Sequence, residues 1–359
     1  MDYIQYLRPT QSTDIMQVAL SRKYKPNKKS AMKKRKKSNA TINELVCEKM
    51  AVLKSNGKYC TLHNYRALLH FIEKHFGVLK ASDCDAAAVM RMKSLMSHLS
   101  PSTQASYFAC LKSIWNYASY IGATGHTEYP FQRYAYELDK VRVPRIQRRT
   151  ESYLTVTDMS RLYRHWMEIP VEGKRDRSRK TYLGLFMLSY LMNGANVNDI
   201  VRMTYNNDWY TSGGRIISFV RHKTADKSPV KVRVPLTDLL SPIFHFLASE
   251  EKRNGPMFGV LLGGVRLDDE ESLLKRVMYL NNYASKRVRA ECKVLGIRED
   301  VSMTFARHSS ISVSNHLGFN FSLIESMCGH TLPGVSGSYI GQAPIEKLFE
   351  VGNALIEVS

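Results

Sequence analysis

Between Glu128 and Thr150 the hydrophobic periodicity that marks the rest of the chain breaks off, and this interruption limits what the polypeptide can fold into. On either side of it apolar residues recur at helical spacing. Within it, Arg142, Arg145, Arg148 and Arg149 surround Pro144. A proline-punctuated basic run without apolar period reads as an extended linker. The chain has 359 residues, which suits two domains of roughly 100 to 200 residues each. The expected organisation is a basic N-terminal arm over 1–40, a helical domain over 41–127, a basic linker over 128–150, a second domain over 151–343 and a C-terminal helix over 344–359.

In the first domain, Thr41 followed by Glu44 forms a capping box. Ile42, Leu45, Val46, Met50 and Leu53 then make a helical stripe ended by Gly57. Tyr65, Leu68, Leu69, Ile72 and Phe76 make a second, and a third helix is expected over 85–99. Ser100 and Pro101 open a fourth, with Tyr107, Leu111, Ile114, Tyr117 and Ile121 on one face. Lys54, Lys58, Arg66, Lys74, Lys93 and Lys112 fall on the polar faces and read either as a grip on a duplex or, singly, as ordinary solvated helix faces. In the second domain Thr155 or Thr157 caps a helix, and further helices are expected over 180–192, 239–247, 273–280, 286–295, 309–317 and 344–358. Only 215–236 changes period. Ile216–Val220 is β-rich, Ala225–Pro229 is turn-like, and Val230–Leu236 alternates apolar with basic, so a β-hairpin with a basic face is expected. The fold class is mostly α with a small antiparallel β-sheet, and no internal repeat is evident.

The chain carries 52 Lys and Arg against 32 Asp and Glu, a net charge of +20. Such an excess points to a polyanion whose condensed counterions are released on binding, and double-stranded DNA leads that list. Part of the excess sits in one acid-free run: Arg22, Lys23, Lys25, Lys28, Lys29, Lys33, Lys34, Arg35, Lys36 and Lys37. Like-charge repulsion keeps such a segment extended until phosphates screen it, so it reads as an arm along a DNA backbone, or else as a solubilising or targeting tail. Hydrophobic residues at 44% exclude a wholly disordered chain. No run of 18 apolar residues occurs. The N-terminus lacks the basic-then-apolar order of a signal peptide, so no membrane partner is expected, and the expected location is the cytoplasm, associated with the nucleoid. Cys47, Cys60, Cys84, Cys110, Cys292 and Cys328 are scattered with no CxxC pair, so neither disulfide nor zinc site is expected, and no metal or cofactor.

Four short motifs follow in order in the second half. They are Gly194-Ala195-Asn196-Val197-Asn198-Asp199-Ile200, Arg221-His222-Lys223-Thr224, Thr304-Phe305-Ala306-Arg307-His308-Ser309, and Gly329-His330 with Tyr339 nine residues beyond His330. Their order and spacing resemble the tyrosine recombinase (phage-type integrase) family over about 150–350, and the helical first half resembles that family's core-binding domain. The resemblance implies a four-helix SAM-like core-binding domain and an α+β catalytic domain closing as a clamp around DNA. It also implies site-specific strand cutting and rejoining through a 3′-phosphotyrosine, used for integration, excision or inversion without metal or ATP.

The residue types suit that chemistry. Breaking a phosphodiester without a metal needs a nucleophile, a proton donor for the leaving oxygen, and fixed positive charge at the non-bridging oxygens. The resemblance casts Tyr339 as nucleophile, Arg307 as a guanidinium forked onto phosphate oxygens, Lys223 as general acid and His330 as a donor to a non-bridging oxygen. His308 stands beside Arg307 and Asp199 at the family's acidic position, where a carboxylate orients neighbouring cations. Two positions depart from the pattern: Asn196 stands where the family has its first arginine, and Thr304 where it has a histidine. Arg221, two residues before Lys223, is the expected substitute, with Arg202 as the fallback, as in mobile-element integrases lacking the first arginine. The expected partners are a homo-oligomer, a tetramer on DNA, and accessory directionality or bending factors. For the C-terminal helix two arrangements stay open, packing onto its own domain and docking into a neighbouring protomer. Two other functions also stay open: a DNA-binding architectural or regulatory protein of the same fold with impaired catalysis, and a type IB topoisomerase.

Overall fold

The computed structural model describes residues 39–144, 152–225, 229–330 and 343–357. The expected arm residues Lys28, Lys29, Lys33, Lys34, Arg35, Lys36 and Lys37, the linker residues Arg145, Arg148 and Arg149, and Tyr339 lie outside them. The chain divides into two compact units between residues 147 and 148. Among the described residues no helix is long and apolar enough to cross a membrane.

In the first unit, α1 (Ile42–Ser55) begins at the expected capping box: the Thr41 hydroxyl accepts from the Glu44 N–H, and the Glu44 carboxylate accepts from the Thr41 N–H. α2 (Tyr59–Phe76) follows, and its Leu62, Tyr65, Leu68 and Ile72 are buried. α3 (Ala86–Leu95) is capped by Asp85 and stops short of the expected Leu99, because the Met96 N–H bonds the Met92 and Ser94 carbonyls and tightens the last turn. α4 (Pro101–Tyr120) starts at a Ser100 cap with proline in the first turn, as read from the sequence. Lys54, Lys58, Arg66, Lys74 and Lys93 are exposed, whereas Lys112 is half-buried with its ammonium 5.8 Å from the Tyr129 ring centre.

The expected linker does not begin at 128. Phe131 and Val141 are buried in the first unit's core, the Val141 N–H bonds the Pro130 carbonyl, and the Gln132 N–H bonds the Val141 carbonyl. Tyr129 packs edge-on against Trp115 and Phe131. The stretch lacks periodicity because it is held by a few aromatic anchors and not by a regular element. Its core contacts are therefore invisible to a period search.

The second unit is built around α6 (Gly173–Leu191), which follows the Thr155-capped α5 (Val156–Glu168). From Leu183 to Leu191 every residue of α6 is buried, so it carries an all-round apolar surface and no stripe. It begins seven residues before the expected 180, in a charged first turn that the apolar pattern did not include. After it come α7 (Val197–Ile200) and α8 (Asn207–Thr211), then the hairpin of β1 (Ile216–Val220) and β2 (Lys231–Pro235), with Ile216 opposite Pro235 and Val220 opposite Lys231. The basic hairpin face is partly spent internally. Lys231 Nζ lies 2.5 Å from the Asp208 carboxylate, and Arg233 Nη2 donates to the Ala343 carbonyl at 2.5 Å. Short helices α9 (Ser241–Leu247) and α10 (Gly259–Leu262) lead to α11 (Glu270–Val294), a single 25-residue helix where two were expected. α12 (Met303–His316) starts six residues earlier than expected, which places Arg307 within a helix. α13 (Phe321–Met327) and α14 (Ile345–Ala354) complete the unit. α11, α12 and α9 all pack on α6.

One charged network sits at the edge of this core around a buried carboxylate. Glu291 of α11 is 2% exposed, accepts two hydrogen bonds from Arg179 at 3.1 and 2.9 Å, and lies 3.0 Å from His165 Nε2. The C-terminal helix packs in cis: α14 lies on β2, Leu348 and Val351 are buried, and Tyr190 donates to the Leu355 carbonyl at 2.7 Å.

Candidate active site

Among the described residues, Gly194, Arg221, Arg307, Gly329 and His330 from the four motifs meet at the loop after α13. Arg307, on the first turns of α12, donates from Nη1 to the Gly194 carbonyl at 2.8 Å and from Nη2 to the Cys328 carbonyl at 3.0 Å. Its Nη2 also lies 2.8 Å from His330 Nε2. A guanidinium cannot accept, so His330 accepts through Nε2 and carries its proton on Nδ1. Nδ1 faces the Glu325 carboxylate at 3.0 Å, which completes a carboxylate–imidazole–guanidinium chain. Glu325 has no counterpart among the sequence-read residues. Its role depends on α13 ending so that residue 325 faces residue 330, and no sequence spacing signals that.

Arg221 follows β1 and is buried, with Nη1 3.3 Å from the Gly329 carbonyl and Nε without a partner. Asp199 of α7, also buried, accepts from the His222 N–H at 2.9 Å and from Asn196 Nδ2 at 3.4 Å. It thus fixes the backbone one residue after Arg221. Two glycines let the arginines seat. Gly194 has φ +69°, and a Cβ there would stand 2.8 Å from the Arg307 Cα. Gly329 has φ +66°, and a Cβ there would stand 2.6 Å from Arg221 Cδ.

The electrostatics follow from this crowding. Burial pulls the Arg307 guanidinium below its ordinary pKa, and Arg221 adds to that, against the opposing carboxylates of Asp199 and Glu325. Burial raises the neighbouring Cys328 thiol to about 11, so it stays neutral. Two cations held close, one with an unpaired N–H, make a pocket that gains from an anion.

The remaining candidates are placed less tightly. Asn196 and Thr304 are exposed, and Thr304 exchanges a hydrogen bond with Ser302 at 2.8 Å. With Asn198, Asn282 and Arg307 they line a depression of about 330 Å³. Lys223 is exposed on a turn three residues past the end of β1. His308 is exposed beside Arg307. Arg202 is not available as a fallback: it forks onto Glu270 with two 2.7 Å hydrogen bonds and so is already neutralised. Among the described residues no group of three or more His, Cys, Asp or Glu is placed to hold a metal ion.

The fold of the chain is similar to that of a solved transposon integrase. A structure of the Tn1549 transposon integrase in complex with transposon right-end DNA superposes with a TM-score of 0.50 at 15% identity, covering 86% of this chain and 96% of that one. A second structure of the Tn1549 integrase, with circular-intermediate DNA, gives a TM-score of 0.48 at 14% identity, covering 86% and 97%. No protein-family model matches the chain, and no curated protein sequence does. At these identities the likeness is one of architecture alone.

Proposed function

We propose that the chain is a DNA strand-exchange enzyme of the tyrosine-recombinase kind, cutting and rejoining double-stranded DNA. The observation that carries this reading is the meeting of Arg307, Arg221 and His330, from separate stretches of sequence, around the Gly329 and Cys328 carbonyls. Fixed guanidiniums of this kind suit a phosphoryl centre, because a pentavalent phosphorus spreads extra negative charge over its non-bridging oxygens. The neutral Asn196 leaves one cation missing from the family pattern, and Arg221 supplies it. In the proposed reaction the Tyr339 phenolic oxygen gives its proton to water and attacks phosphorus, the bond to the 5′ oxygen breaks, and Lys223 protonates that oxygen. The phosphotyrosine keeps the bond energy, so rejoining by a free 5′ hydroxyl needs no nucleotide. The arm residues 28–37 and the arginines 145–149 supply phosphate contacts outside the reacting centre.

The test is covalent capture. Nicked suicide duplexes tiled across the DNA flanking the gene yield an SDS-resistant protein–DNA adduct with the native chain and none with Tyr339→Phe. An adduct that persists in the variant assigns the nucleophile elsewhere. Duplex binding with no adduct on any fragment favours the architectural reading, and relaxation of plasmid without site preference favours the topoisomerase. The same assay places the substituted cation: Arg221→Ala lowers adduct formation about 100-fold or more, whereas Asn196→Ala changes it by less than about threefold. The opposite ranking refutes the assignment of Arg221.

A further inference from the structure

The core-anchored stretch of the first unit carries an excursion, residues 132–140, whose construction has no role in the reaction described above. Its centre is Glu137. The carboxylate accepts from the Arg133 N–H at 2.5 Å, from the Tyr134 N–H at 2.9 Å and from Lys140 Nζ at 3.0 Å. These bonds, led by the Tyr134 N–H, hold the Glu137 carboxyl down to about 2, so it stays ionised across the working range of pH. Gln132 Nε2 closes the turn onto the Ala135 carbonyl at 3.1 Å. A carboxylate with its donors all drawn from its own loop fixes a shape; it does not serve a ligand.

That shape presents apolar groups outward at alternate positions. Tyr134, Tyr136 and Leu138 are 58%, 77% and 84% exposed. The two tyrosine rings are parallel, with an interplanar angle of 3° and centroids 5.3 Å apart. Single exposed hydrophobics are ordinary. Three on one pinned loop, two of them stacked, are a preorganised apolar surface, and preorganisation lowers the entropy lost when something binds. The surroundings choose the occupant. Arg133 and Arg142 are exposed on either side, Lys140 is paired with Glu137, and Asp139 is the one carboxylate of the loop not drawn inward. The Arg133 guanidinium is turned onto the Tyr129 ring at 4.2 Å and Arg142 is exposed, and a flat aromatic face on so basic a stretch fits a base attached to a phosphate better than it fits an apolar protein patch.

We propose that this loop is a nucleobase-stacking tip, taking the unstacked bases of a DNA strand against the outer faces of Tyr134 and Tyr136. The inference rests on DNA being the partner in the reading above, where strand exchange frees bases from their duplex. Within an intact duplex those faces are covered, so the loop discriminates between strand states.

The test uses the full chain with a fluorescein-labelled mixed-sequence 20-nucleotide single strand and the corresponding duplex, followed by anisotropy over a salt series. The double variant Tyr134→Ala/Tyr136→Ala loses about tenfold or more in single-strand affinity, with duplex affinity and the salt slope unchanged, since stacking releases no counterions. Tyr136→Phe keeps wild-type affinity, because the ring face remains. Glu137→Ala, which frees the loop without touching a tyrosine, falls between, and circular dichroism checks that all variants fold. Unchanged single-strand affinity overturns the proposal, as does an equal loss on both DNAs with a flatter salt slope, which would mark a phosphate contact. A variant that alters sedimentation mass without altering DNA affinity would assign the tip to a second copy of the chain and also overturns it. A native chain that binds neither DNA sinks the DNA reading as well. A chain that binds both but forms no adduct sinks only the chemistry.

Discussion

Arg307→Ala leaves the protein able to bind DNA but slows strand cleavage by about 100- to 1000-fold, the size expected for loss of one preorganised donor from a site of developing negative charge. The side chain spans the Gly194 and Cys328 carbonyls and His330 Nε2, so its removal also frees the imidazole on its Nε2 side. Arg307→Lys does not rescue. A single ammonium cannot satisfy two carbonyls and an imidazole while keeping a donor fork for phosphate oxygens. The discriminating measurement is single-turnover cleavage at saturating protein, with binding followed separately. A variant that loses binding and cleavage in equal measure would show that Arg307 anchors the duplex and has no special part in the transition state.

Glu291→Ala is expected to cost about 1 to 3 kcal/mol of stability, because half-buried Arg179 loses two of its hydrogen bonds and keeps only Asp176 as a carboxylate partner, with His165 beside it. The same residue makes stability depend on pH with a definite sign. Burial pushes the Glu291 carboxyl up, but hydrogen bonds from Arg179 and His165 outweigh it, and the folded protein holds the group below its ordinary value. A group depressed on folding contributes stability that is present above the unfolded carboxylate range and is lost as pH falls through the folded value. Urea midpoints of the native chain therefore fall on acidification below a pH of about 4, and those of the variant fall less. If the variant's stability falls as steeply as the native chain's, the acid sensitivity belongs to other carboxylates.

The residues differ in how openly they announced these roles. The caps at Thr41 and Ser100 were legible, and Thr155 was one of two candidates with Thr157, because an N-cap is a local contract between residues three apart. The hairpin was legible because nothing else in the second half alternates with period two. The extents of α6 and α11 were not. Burial on all sides erases the stripe in α6, and α11 changes its buried partners along its length, so its apolar residues looked like two short runs. Motif order brought Arg307 and His330 to attention, and Arg221 followed from the gap at Asn196. Glu325 reaches His330, five residues on, only through the way α13 ends, and the cradle of Gly194 and Gly329 depends on contacts between segments, which no local pattern encodes. The release of Arg202 from candidacy likewise needed the position of Glu270, 68 residues away.

The geometry around the two arginines also predicts where the protein tolerates change. A methyl group at 194 or 329 meets Arg307 or Arg221 at distances that real atoms do not reach, and the backbone there is left-handed, so random libraries should return almost nothing but glycine at either position. Asn196 and Thr304 open onto solvent and meet no such limit. The site is rigid in its floor and permissive at its rim, so substitutions at 196 and 304 leave the seating of the two arginines intact.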